Sequence, residues 1–64
     1  MAIISFADPY VAGNTIWINP ASVEQVRPNH DGNAAIFFRS GSPTLIVGGP
    51  ADFVVSKLNE AMGS

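Results

Sequence analysis

The sequence contains no cysteine and a single histidine, His30. Disulfides, thiolate metal centres and histidine clusters are therefore excluded as ways of holding a small chain together. Positive charge is equally scarce: Arg27, Arg39 and Lys57 are the whole set, against five carboxylates. Proteins that bind nucleic acid neutralise several phosphates with clustered Lys and Arg, so this balance speaks against such a partner. No apolar run approaches the roughly 20 residues of a membrane-spanning helix. The opening "MAIISFADPYVAG" has no basic segment of the kind that leads a signal peptide. The expectation is a chain with no membrane span, located in the cytoplasm (the host cytoplasm if phage-encoded).

What is present is apolar. Charged residues make up 12% of the chain and apolar residues 47%, and that charged share is about half the usual one. A domain of 64 residues buries only about 60% of the surface its unfolded chain exposes. Eight charged groups cover little of what remains, and large apolar patches are uncommon on monomers. With disulfides and metals excluded, a partner subunit is the remaining source of extra stability. A homo-oligomer is expected.

The chain reads as a single domain spanning 1–64, with strands within about 2–48 and a helix over about 50–62. "AIISFA" (2–7) is rich in strand formers, and "DPYVAGN" (8–14) supplies turn residues. "TIWIN" (15–19) alternates, with Ile16 and Ile18 on one face and Thr15, Trp17 and Asn19 on the other. Pro20 turns the chain into "VEQVRP" (23–28), where Val23 and Val26 lie three apart and call for a bulge or an irregular start. "NHDGN" (29–33) is a hairpin turn in which Asp-Gly suits positive φ. "AAIFFRS" (34–40) is apolar on both faces, as a central or interface strand would be. "TLIVG" (44–48) is the last strand. The helix starts with Pro50 at its first position, carries Asp52 in the first turn and stops at Gly63. Val54, Val55, Leu58, Ala61 and Met62 form its apolar stripe, and Lys57, Asn59 and Glu60 face water. The expected class is α+β, mostly β: an antiparallel meander of about five short strands, as a sheet or small SH3-like barrel, with one C-terminal helix.

From Ile16 onward, "IWINPASVEQVRP…AAIFFRSGSPTLIVGGPADFVVSKL" resembles the small FlbD-like (SwrD-like) bacterial proteins and similar short phage or prophage proteins. An apolar strand ending in Asn-Pro leads into a Val-Glu-x-Val strand there, and later strands precede a short helix. Asn19, Pro20, Val23, Glu24, Val26, Gly41, Val47, Val54, Val55 and Leu58 occupy the matching positions. The resemblance spans about three quarters of the chain and implies the fold. The flagellar members are richer in Lys and Glu than this chain.

Nucleophilic catalysis needs a Ser, Cys or Thr beside an oriented base, and His30 sits alone at a turn. Asp8, Asp31 and Asp52 fall in separate turns or at the helix start, with no pairing for acid–base hydrolysis. The expectation is no enzyme, no cofactor and no metal. Gly48-Gly49-Pro50 is the one site-like local feature, because a helix N-terminus presents free N–H groups to anions. It lacks the spaced glycines or Gly-Lys of known phosphate motifs, and Pro50 and Asp52 both oppose an anion; a plain strand-to-helix turn explains it. Arg27 and Arg39, on neighbouring strands, either pair with Glu24 or Asp31 or converge in an oligomer on an anion. Trp17 or Tyr10 would then stack on a base, with Gly48 and Gly49 nearby. Phe37, Phe38 and Trp17 are the candidate interface residues. Three functions follow: a non-catalytic oligomeric module binding another protein, of a phage or prophage type; a protein sequestering a small anionic ligand such as a nucleotide; and a nucleic-acid-binding regulator.

Overall fold

The computed structural model of the protein describes residues 3–63. The first expected strand began at Ala2, which with Met1 and Ser64 lies outside the described residues. The elements are β1 (Ile4–Ala7), β2 (Thr15–Ile18), a 3-10 turn (Pro20–Ser22), β3 (Val23–Pro28), β4 (Ala34–Phe38), β5 (Leu45–Val47) and α1 (Ala51–Gly63). All strand pairings are antiparallel. The class is α+β, mostly strand with one C-terminal helix.

The antiparallel strands of the meander group into two hydrogen-bonded sheets: β1-β2, and β3-β4-β5 with β4 central. The break falls at Asn19-Pro20. Asn19 caps the 3-10 turn, its side chain accepting from the Ala21 N–H, and Ser22 N–H bonds the Asn19 carbonyl at 3.0 Å. Pro20 has no N–H to continue a ladder, so the turn sends β3 into a second sheet. One backbone bond joins the two sheets at the far side, from Gly48 N–H to the Ala7 carbonyl at 2.8 Å.

Within each sheet the side-chain alternation reads directly. Ile18 is buried and Ile16 half-buried, while Thr15 and Trp17 are exposed. The expected bulge lies between Val23 and Gln25. The 29–33 turn differs in detail: Gly32 has φ +88, and no non-glycine residue has positive φ. Gly32 N–H bonds the Asn29 carbonyl at 3.1 Å and Asn29 N–H bonds the Asn33 carbonyl at 2.8 Å. Of the Asp-Gly pair only Gly32 takes the left-handed conformation, and Asp31 turns its carboxylate on Asn29 and Asn33.

The core lies where the sheets meet the helix. Ile36 on β4, Val47 on β5 and Val54 on α1 are fully buried, joined by Phe6, Ile18, Ala34 and Leu58. Residues 51, 54, 58 and 61 recur at helical spacing, and this line faces the sheets. Val55 and Met62, one step round the helix, stay exposed. The inner line of the stripe therefore forms the core, and its second line does not. Helix α1 begins at Ala51 rather than Pro50, because the Pro50 carbonyl accepts the first helical bond from Val54 N–H at 3.1 Å. Pro50 is thus the cap, and the helix runs through Gly63.

Candidate binding surface

The two glycines at the strand-to-helix junction have their N–H groups engaged. Gly48 donates to Ala7, and Gly49 donates to the Asn33 side-chain oxygen at 3.3 Å. Gly49 has φ +109, and the Phe53 ring lies where a β-carbon would stand. Gly48 leaves no room either: a β-carbon there would sit 3.1 Å from the Ala7 carbonyl oxygen. The joint is closed by backbone on one side and an aromatic ring on the other. It locks β5, β1 and α1 together.

Lys57 departs from its expected place in solvent. It is half-buried, and its ammonium donates to the Ser5 carbonyl. The Phe6 ring centre lies 4.5 Å away and that of Phe53 5.6 Å, both within cation–π range. Phe53 and Lys57 are four residues apart, so they share one helix face. That spacing was the available sequence signal; the contact with β1 comes from the fold. Beside them is a cleft of about 480 Å³ lined by Phe53, Lys57, Gly48, Asn14, Thr15 and Asp8, among others. Asp8 is committed to its own loop, accepting from the N–H groups of Tyr10 and Val11 and from the Asn14 amide. These bonds, that from Asn14 above all, hold its carboxyl below its ordinary pKa.

The two arginines are placed at opposite ends of the β3-β4 hairpin. Arg27 pairs with Ala35 across the ladder, while Arg39 follows Phe38, the partner of Val23. Four residues of strand separate the two positions, roughly 13 Å. Arg27 donates to the Gln25 side chain at 3.1 Å and stands 5.8 Å from the Phe37 ring centre. No ion pair joins either arginine to Glu24 or Asp31 among the described residues. Tyr10 instead donates its hydroxyl to Asp31 at 2.7 Å, tying the 8–14 loop to the hairpin tip. That bond holds the Asp31 carboxyl well below its ordinary pKa and raises that of Tyr10. Within one chain, Arg27 and Arg39 do not converge.

Phe37 and Phe38 part company, as neighbours on a strand must. Phe38 packs on the core, whereas Phe37 shares the outer sheet face with Ala35 and Ile46. Trp17 is 68% exposed and meets Phe38 at a cleft of about 260 Å³ that Ile18, Leu45, Ser40 and Ser42 also line. A second apolar groove of about 240 Å³ runs between α1 and β3, lined by Pro20, Val23, Val26, Val55, Leu58, Asn59 and Met62. None of those seven side chains is charged. His30 is exposed in its turn. Among the described residues no three His, Cys, Asp or Glu side chains gather as a metal site would require, and no helix is long and apolar enough to cross a membrane. Comparison with family models, curated proteins and solved structures found no match to this chain.

Proposed function

We propose that the chain is a non-catalytic binding protein that works as a homo-oligomer and engages a protein partner through apolar surface, in the manner of a small phage-type regulator. The observation that carries this is the set of exposed large apolar side chains: Ile3, Tyr10, Val11, Trp17, Phe53, Val55 and Met62. Seven such residues among those described are a large share beside the eight charged groups of the chain. Apolar surface that so few charged groups leave uncovered is what subunit and partner contacts bury. The FlbD-like resemblance is carried within this proposal as a matter of fold. An oligomer whose subunits fold on association melts at a temperature that rises with concentration. We expect the melting temperature to climb by several degrees over a hundredfold increase in concentration. A constant value would count against the reading.

A second reading has its own support in the Lys57 cleft. A half-buried ammonium beside an exposed aromatic face and the Thr15 hydroxyl suits a small anion with a flat apolar part, such as a nucleotide, while the Asp8 carboxylate, which also lines the cleft, opposes it. A thermal-shift panel of nucleotides tests it. A ligand at 100 times its dissociation constant adds about 2.7 kcal/mol, and Lys57→Gln should remove that gain. A panel without any shift would eliminate this reading and leave the first intact.

A further inference from the structure

We propose that two copies associate edge to edge through β2, pairing their Thr15–Ile18 strands antiparallel across a two-fold axis beside Trp17. This rests on the oligomeric reading above and names its surface. The starting point is a backbone edge without a partner. Among the described residues, β2 is hydrogen-bonded to β1 alone.

The direction of its polar groups can be read from β1. The Ser5 carbonyl is taken by Lys57 and the Ala7 carbonyl by Gly48, so both residues point away from β2. Asp8 N–H bonds the Asn14 carbonyl at 3.1 Å, which puts the hydrogen-bonded pairs at Asp8–Asn14, Phe6–Ile16 and Ile4–Ile18. The alternate residues, Thr15 and Trp17, therefore aim their N–H and C=O groups outward along the free edge.

Every other edge is protected. The β1 edge is covered by Lys57 and Gly48. The β3 edge carries a bulge, Glu24, Arg27 and a closing Pro28, and β5 is only three residues long. Charges, bulges, proline and brevity are the devices that keep edges from pairing. "TIWI" has no charge, proline, bulge or glycine, and its β-branched and aromatic residues are the strongest strand formers.

A second copy is the occupant this edge fits. The outward groups alternate donor and acceptor, so an antiparallel copy of the same four residues supplies their complement. Two-fold pairing must keep inward side chains on one face and outward ones on the other. The axis therefore passes through Trp17 or Ile16, and in both cases Trp17 lies on the seam. Each copy carries a net charge of −2, yet no ionised side chain lies on β2, so the copies meet there without like-charge contact. A stable interface needs about 800 Å² per partner, about a fifth of the 4094 Å² surface. Four strand residues cover less than that. The indole of Trp17 and the recess it shares with Phe38 and Leu45 extend the contact.

Sedimentation equilibrium on the full chain and on Trp17→Lys tests the pairing, with far-UV circular dichroism confirming the fold. Wild type should approach about 13 kDa, twice the 6.7 kDa chain, at high micromolar concentration. Trp17→Lys should remain at 6.7 kDa with an unchanged spectrum, since Trp17 is largely exposed. A variant that still dimerises overturns edge pairing and leaves the oligomeric reading standing; a monomeric wild type overturns both. Trp17 is the only tryptophan, so wild-type emission gives a second readout that decides the matter if the variant unfolds. A red shift on dilution supports the pairing, and emission unchanged on dilution contradicts it.

Discussion

Replacing Ile36 with alanine is expected to remove a large part of the chain's stability and to lower its melting temperature by tens of degrees. Ile36 is central in every sense: it sits on the middle strand, opposite Val26 on one side and Leu45 on the other, and is fully buried. Truncating a buried isoleucine to alanine costs about 2–5 kcal/mol, because the cavity collapses only partly. A chain of 64 residues has a total stability on the order of 3–10 kcal/mol. The loss is comparable with the whole. Ile36→Val, which removes one methylene, should cost only about 0.5–1.5 kcal/mol and still fold. Thermal melts followed by circular dichroism separate the three proteins. An alanine variant melting within a few degrees of wild type would show that the β4 centre is not the core described here.

The second large effect is expected at the glycine joint. At Gly49→Ala the methyl meets the Phe53 ring at 2.8 Å, and the ring, half-exposed, is able to swing aside. The backbone cannot relieve φ +109 in the same way, and strain of that kind costs about 1–3 kcal/mol. That corresponds to a fall in melting temperature of about 5–20 °C for a domain this small. Gly48→Ala acts differently, pressing a methyl on the Ala7 carbonyl at 3.1 Å and on its β-carbon at 3.3 Å. Both are backbone-anchored, so β5 and β1 must separate or tilt. Gly13→Ala is the control, since Gly13 has φ +80 but open space around it. It carries the backbone strain without the contact, so it should cost less than Gly49→Ala, where the Phe53 ring must also move. Equal melting temperatures for all three variants would contradict the closed joint.

Local patterning accounts for what could be read in advance. The Ile16-Trp17-Ile18 alternation, the bulge forced by Val23 and Val26, and the helix after Pro50 all follow from spacing over a few residues. Features set by distant parts of the chain could not be read this way. The division into two sheets depends on how far the Asn19-Pro20 turn swings the chain, and on a bond between Gly48 and Ala7, some forty residues apart. A charged residue on a helix is expected in solvent, whereas the Lys57 contact with Ser5 spans 52 positions. The stripe of α1 was legible as a stripe, but not that Val55 and Met62 would lie beyond the sheet's cover. The separation of Arg27 from Arg39 follows from the β3-β4 register, which the bulge shifts.

The central claim is that this apolar surface is covered by further copies of the chain. Its most direct test is the solution mass of the wild-type protein by sedimentation equilibrium over a wide concentration range. The account predicts a mass that rises from the 6.7 kDa of one chain toward a whole multiple of it. A mass of 6.7 kDa at every concentration, including high micromolar, would contradict it.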